Sequence, residues 1–397
     1  MGHEPDEAFR PHAANFRMAA RVSAMFLALK EMRRAKTRFG LLIGAVALLV
    51  FLILFQQTLQ NGLITSFVGA LRHQSAPVLV YSVDGRRNLQ GSVITPDLER
   101  SIGAVDGVAR AGRIGQRTFS TQAGNRSQPT AIVGYEVVGL GSPSTLTTGR
   151  LAARTGEGVA SAADAKIGYD VGDIVTIEPG GYAVTIVGLA RDVNLSVTPT
   201  LFTTYDTYVA AVAAGNPDAK TPLPSVIGVE PVDGVSNAEL VRRINASSDQ
   251  LDALTRSDAA AEAPGVSQVR SSFLLIFGLY GLVVPFVTAL FFLIITFQKA
   301  NSLTLLRAIG APTSRLVSSL MVQVVIVVGA GEALGTLLYT PVSFQRIGGI
   351  PLRFETAAVI GWAMALLLLG LVSALFAAYR VLRIDPVAAT TGVGVGR

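Results

Sequence analysis

Few side chains in this 397-residue chain are equipped for covalent chemistry. There is no cysteine, which excludes disulfides, thiolate metal sites and cysteine nucleophiles. The histidines are His3, His12 and His73, too few and too scattered for a histidine-rich metal site or a Ser-His-Asp triad. Asp164, Asp170, Asp173 and Glu178 are acidic and close in sequence, yet lack the spacing of a calcium loop, and read as solvated turn residues. No G-x-x-x-x-G-K-[ST] occurs, and the terminal "GVGVGR" lacks the lysine and the strand-to-helix setting of a phosphate loop. Nucleotide-driven work would therefore need its ATPase on a separate subunit.

Two other features stand out. Glu332 lies inside the apolar run "VVGAGEALGTLL", where a carboxylate costs roughly 2.5–3.5 kcal/mol on insertion scales. It is a candidate for contacting substrate, relaying protons or pairing across an interface, unless it sits near enough to the outer end of its span to reach water. Gly331 and Gly335 flank it with the small-xxx-small spacing of close helix packing. The second feature is "LLRAIGAPTSRL", a short basic segment between two long apolar stretches. Leu303 just before it and its own Leu305, Leu306 and Ile309 supply an apolar ridge, Arg307 a charge, and Gly310 a sharp turn, with Ala308 and Ala311 completing the candidate coupling segment. That is the chemistry of a docking helix for a soluble partner, against the plainer alternative of a helical hairpin turn.

The elements that hold these residues follow from hydropathy. Half of the residues are apolar and 15% charged, with a net charge of +6, and the mean hydropathy is +0.49. Four stretches approach or exceed the roughly 20 residues needed to cross a bilayer. They predict the following order: a cytoplasmic N-terminus over 1–38, spans at 39–60, 273–298, 316–340 and 357–382, an outer insert over 61–272, an inner loop over 299–315, a short outer loop over 341–356 and a tail over 383–397. Lys30, Arg33, Arg34, Lys36 and Arg38 precede the first span, and Lys299, Arg307 and Arg315 lie between the second and third. By the positive-inside rule both termini are expected in the cytoplasm of a multi-pass cell-membrane protein. The first span reads as a permanent anchor, not a cleaved signal. Before it, Met18, Val22, Met25, Phe26, Leu29 and Met32 form a stripe beside Arg17, Arg21 and Lys30, which predicts an amphipathic helix in the anionic interface. The basic excess is thus a membrane signature and not one of nucleic acid.

The insert turns to Gly, Ser, Thr, Pro and Asp. Strands are expected at 78–83, 130–133, 174–177, 183–187 and 226–229, with a turn at Gly180-Gly181, and helices at 96–102 and 237–254. An α+β domain, in two lobes, fits. Asn125, Asn194 and Asn245 head N-x-S triplets, and the polar tip Asn88 to Gln90 is a candidate partner contact.

Four stretches in this order, "KEMRRAKTRFGLLIGAVAL", "VGDIVTI…YAVTIVGLARDV", "SLTLLRAIGAPTSRL" and "AAYRVLRIDPVAAT", resemble the FtsX-like, MacB-type permeases of ABC transporters. The first span is most similar to membrane subunits of heterocyst-glycolipid-type exporters. The family fold so implied (type VII) is four transmembrane helices with one large extracytoplasmic α+β domain between spans one and two. In that family the loop at Leu303–Ala311 is the coupling helix; Ser302 stands where many members have an acidic residue. The resemblance implies no cofactor on this chain, with ATP and Mg on a partner P-loop ABC ATPase. It implies pairing with a second copy or a paralogous permease, contact with membrane lipids, and an extracytoplasmic adaptor or substrate protein. The expected work is export or extraction of a lipid, lipoprotein, peptide or drug. Rivals are a regulator of a cell-wall hydrolase and an amino-acid-type small-solute permease.

Overall fold

A computed structural model describes residues 33, 35–218, 221–298, 313–347 and 350–382. The candidate coupling residues Leu303, Leu305, Leu306, Arg307, Ala308, Ile309, Gly310 and Ala311, the stripe from Met18 to Met32 and the tail lie outside the described residues.

Among the described residues, four helices are long and apolar enough to cross a membrane: α1 (Lys36–Arg72), α6 (Val266–Gln298), α7 (Thr313–Val342) and α8 (Thr356–Leu382). The chain divides into two compact units, residues 1–58, 274–345 and 353–397 in one and 59–273 with 346–352 in the other. In the first, Leu42, Val46, Val50 and Ile53 of α1 share an apolar cluster with Val324, Val327 and Val328 of α7 and Leu366 of α8. Leu274, Leu275, Leu282 and Phe286 of α6 remain exposed, as expected of side chains facing lipid.

The second unit is built on one ten-stranded sheet. Its elements are β1 (Val78–Ser82), α2 (Pro96–Gly103), β2 (Val108–Ala123), β3 (Arg126–Tyr135), β4 (Leu146–Gly149), β5 (Glu157–Ser161), β6 (Ile174–Glu178), β7 (Tyr182–Ala190), β8 (Thr200–Thr204), α3 (Tyr205–Gly215), β9 (Val226–Pro231), α4 (Asn237–Ser247), β10 (Leu251–Thr255) and α5 (Arg256–Ala261). Strand order is β10-β1-β9-β2-β3-β8-β5-β7-β4, with β6 paired to β2 and β7. The β3–β8 and β5–β7 pairs are parallel and the rest antiparallel. Long β2 joins the two halves: its start pairs with β9 and its end with β6, while β3 runs beside it from Ile114↔Tyr135 to Ala123↔Arg126. A hairpin of β11 (Arg346–Ile347) and β12 (Ile350–Pro351) belongs to this unit as well.

Three expectations need correction. The two lobes are one hydrogen-bonded sheet. The helix foreseen over 237–254 stops at Ser247, because Ser248 is extended (φ −160°) and the Asn245 side chain binds the backbone of Ala253 through both its oxygen (2.7 Å) and its nitrogen (3.1 Å). Leu251 and Leu254 match a helical period, yet they lie on a strand. Finally, α1 does not end near residue 60. It continues to Arg72 with a break at Val68, and residues 36–67 before the break already extend about 48 Å at 1.5 Å per residue, well beyond a hydrocarbon core of about 30 Å.

Candidate functional site

Near its C-terminal end α1 is broken at Val68, whose backbone (φ −131°, ψ 17°) leaves the helical region. A break strands carbonyls and amides that a continuous helix would pair internally. Here the loop 192–199 takes them up. Ser196 and Val197 donate their amides to the carbonyls of Phe67 (2.9 Å) and Ser66 (2.8 Å), and Ala70 donates to the carbonyl of Asn194 (3.0 Å). His73 donates Nδ1 to the carbonyl of Asp192 at 2.8 Å. Residue 69 must be glycine for this approach: a Cβ there would stand 2.3 Å from the Asp192 carbonyl oxygen. The loop is held tightly enough to keep Asp192, Ser196 and even β-branched Val197 at φ of 60°, 52° and 60°. Thr200 Oγ1 accepts from the Leu195 amide (2.9 Å), and Thr198 Oγ1 donates to the Leu195 carbonyl (2.7 Å).

From this clamp a buried polar chain leads onward. Asn194 accepts at Oδ1 from Ser161 Oγ (2.6 Å) and donates Nδ2 to Asp164 (2.6 Å). The other Asp164 oxygen takes Arg346 Nη2 at 2.9 Å, and Arg346 also donates to the carbonyl of Ala163. Asp164 is therefore not a solvated turn residue: its side chain is 2% exposed, and only a paired carboxylate is tolerated at that depth. Ser66, Asp164, Asn194, Thr198 and Arg346 border a cavity of about 230 Å³. The β11–β12 hairpin between α7 and α8 is thus tied through Asp164 and Asn194 to the loop that grips α1. Asp170 and Glu178, by contrast, are exposed, and Asp173 caps the Asp170 amide (2.8 Å). Asn194 is buried and Asn245 is committed to Ala253, so neither N-x-S triplet presents a free amide.

In the helical unit, Gly331 and Gly335 abut α1. A Cβ on Gly331 would lie 2.5 Å from Val46 Cγ1, and one on Gly335 2.6 Å from the Ala47 carbonyl oxygen. Glu332 is half-buried, and its Oε1 has no hydrogen-bond partner among the described residues. Further along α7, Tyr339 donates to the Arg353 carbonyl (3.2 Å), so the hydroxyl of Thr58 on α1 must donate to Tyr339. Nothing local in the sequence marks Thr58 or the Asn194–Asp164–Arg346 chain, whose members lie far apart in sequence. The single local signal was a glycine where an apolar helix meets a polar domain.

No family model matches the chain. HrtB of Staphylococcus haemolyticus, which carries the name hemin transport system permease protein, is 22% identical over 376 residues, 93% of this chain and 100% of that protein. HrtB of Staphylococcus epidermidis is 25% identical over 119 residues, 30% of this chain and 34% of that protein. Among solved structures, the periplasmic region of MacB from Actinobacillus actinomycetemcomitans aligns with a TM-score of 0.35 and 12% identity, over 46% of this chain and 91% of that one. The extracellular domain of the ABC-type transporter YknZ from Gram-positive bacteria aligns with a TM-score of 0.31 and 12% identity, over 45% and 99%. With a protein named as a permease aligned along its whole length, four helices among the described residues long and apolar enough to cross a membrane, and one large β-rich domain between the first and second, the chain is a membrane protein similar to the permease subunits of transport systems.

Proposed function

We propose that this permease works as a mechanical transmitter. ATP binding on a separate ATPase moves the inner ends of the helices, and the outer domain receives that motion at two points, α1 and the α7–α8 hairpin. The observation that carries this reading is the chain from the α1 break through Asn194 and Asp164 to Arg346, which links both inputs inside one sheet domain. Its support in the helical unit is the dry packing of α1, α7 and α8, with two glycines at the α1–α7 contact. In this proposal both termini are cytoplasmic, residues 61–272 lie outside, two permeases pair, and Leu303–Ala311 docks on the ATPase. The cargo is an amphiphile taken from the outer side of the membrane, a lipid, lipoprotein, peptide or drug. The likeness to proteins named for hemin transport makes hemin the first compound to try.

The test is gentle-detergent purification of tagged protein from its own cells, beside a variant carrying Leu306→Asp and Ile309→Asp. Copurification of a P-loop ATPase with the wild type and its loss from the variant is the expected result. An ATPase that stays on the variant would remove the docking role. The reconstituted wild-type complex should hydrolyse ATP faster with hemin or another amphiphile, and Gly69→Ala should abolish that stimulation while leaving the ATPase bound. Stimulation undiminished by Gly69→Ala would refute transmission through the clamp.

A further inference from the structure

The loop that grips α1 takes up groups that an unbroken helix would pair with one another. Ser66 and Ala70 are four residues apart, so in a continuous helix the Ala70 amide donates to the Ser66 carbonyl. Here the Ser66 carbonyl accepts from the Val197 amide (2.8 Å), and the Ala70 amide donates to the Asn194 carbonyl (3.0 Å). Likewise the Phe67 carbonyl, whose partner in a continuous helix is the Leu71 amide, accepts from the Ser196 amide (2.9 Å). Val68 itself forms an antiparallel bridge with Leu195. The last turn of α1 thus has a second arrangement open to it, in which Val68 turns helical and Ser66 pairs with Ala70. Gly69 weighs against that arrangement, since glycine is the poorest helix former after proline. It also admits the present one, since a Cβ there would meet the Asp192 carbonyl oxygen at 2.3 Å.

The loop has a second arrangement as well. Five non-glycine residues have a left-handed φ among the described residues, and three of them, Asp192, Ser196 and Val197, fall in this one loop. Val197 is β-branched, the type least suited to that region. Such residues persist only where their surroundings over-determine them, and freeing the loop relaxes all three at once. The three bonds to α1 hold the present form, while backbone strain and the helix's own pairing oppose it. We propose that the α1 break and loop 192–199 form a strained latch with two positions. One is closed, as in this structure; in the other α1 is continuous through Val68 and the loop has left the left-handed region. The latch is the moving element of the transmission route and rests on that reading. Because the released turn is a helix end and frays, the amides of Ala70, Ser196 and Val197 all lose protection on release.

The experiment follows hydrogen exchange at the Val197 amide in the full chain in lipid nanodiscs, without the ATPase and corrected for intrinsic rates. Ser196 is exposed and its hydroxyl makes no hydrogen bond among the described residues, so a substitution there alters backbone preference and little else. Ser196→Gly, for which a positive φ has no steric cost, should slow the exchange about threefold. Ser196→Val, a second β-branched residue beside Val197, should speed it about fivefold or more. Equal exchange in the two variants, or the reverse order, overturns the latch. If Ser196→Val does not fold, Val197→Asn decides the matter. Asparagine tolerates a left-handed φ, so exchange at the Ser196 amide should slow; an unchanged or faster rate overturns the proposal. The reconstituted complex then separates the latch from its use. Ser196→Gly, by favouring the closed position, should lower amphiphile-stimulated ATP hydrolysis about twofold or more. Exchange in the stated order with stimulation unchanged supports the latch and refutes transmission through it. Stimulation of the wild type without that order of exchange refutes the latch alone.

Discussion

The clamp on α1 makes a quantitative claim about Gly69. In Gly69→Ala the new Cβ meets the Asp192 carbonyl oxygen at 2.3 Å, well inside contact distance, so loop 192–199 must withdraw. Withdrawal breaks three backbone hydrogen bonds, those of Ala70 to Asn194, Ser196 to Phe67 and Val197 to Ser66. At about 1 kcal/mol net for each, the loss is about 3 kcal/mol. Alanine recovers about 1 kcal/mol over glycine in a helix, which leaves about 2 kcal/mol against the variant. Hydrogen exchange reads this locally: the amides of Ala70, Ser196 and Val197 should exchange about 30-fold faster than in wild type. Gly44→Ala is the internal control, because that glycine lies on the same helix with nothing within 4 Å of a Cβ, and exchange at those amides should not change. If Gly69→Ala protects the three amides as well as Gly44→Ala does, the loop does not grip the helix and the proposed route of force is wrong.

Two further outcomes follow from ion pairs. Arg346→Ala leaves the Asp164 carboxylate with Asn194 alone. Because Arg346 is itself about a third exposed, the destabilisation should be about 2 kcal/mol, less than for a fully buried pair. Adding Asp164→Asn should recover part of it, and a double-mutant cycle showing no coupling would disprove the tie. On the turn before β5, Arg150 grips both oxygens of Glu157 (2.7 and 2.6 Å), and the amides of Ala153 and Arg154 add to the same carboxylate. These bonds, the Arg150 pair foremost, lower the Glu157 pKa from 4.5 to about 2. A lowered acid stabilises the fold above its unfolded value and loses that stabilisation as pH falls from about 4.5 to about 2. Glu157→Gln should therefore flatten the stability profile in that window; an unchanged acid limb of the profile would show the pair to be inert.

The membrane plan was legible because span length and charge are one-dimensional properties. A run such as Phe39 to Leu59 declares itself without knowledge of any neighbour. Likewise β6 and β7 alternate cleanly about a glycine turn, and both were expected near where they stand. The site was not legible, for a different reason. Asp164 looks like any other loop acid until Arg346, 182 residues away, is placed beside it. Leu251 and Leu254 mimicked a helical period, and only the Asn245 side chain, pairing with Ala253, shows why the helix stops.

The pairing of β1 with β10 has a consequence for biosynthesis. Val78 opposes Thr255, so the strand that opens the ten-stranded sheet is completed by the last strand of that sheet to be synthesised. Its other neighbour, β9, is also late. During synthesis β1 therefore waits, with both backbone edges unsatisfied and a sequence, "VLVYS", that is wholly buried in the finished fold. A nascent chain stalled between β1 and β9 would be an aggregation hazard at the membrane surface. The interval between the synthesis of β1 and that of β9 and β10 is thus the stage at which this strand edge stands open.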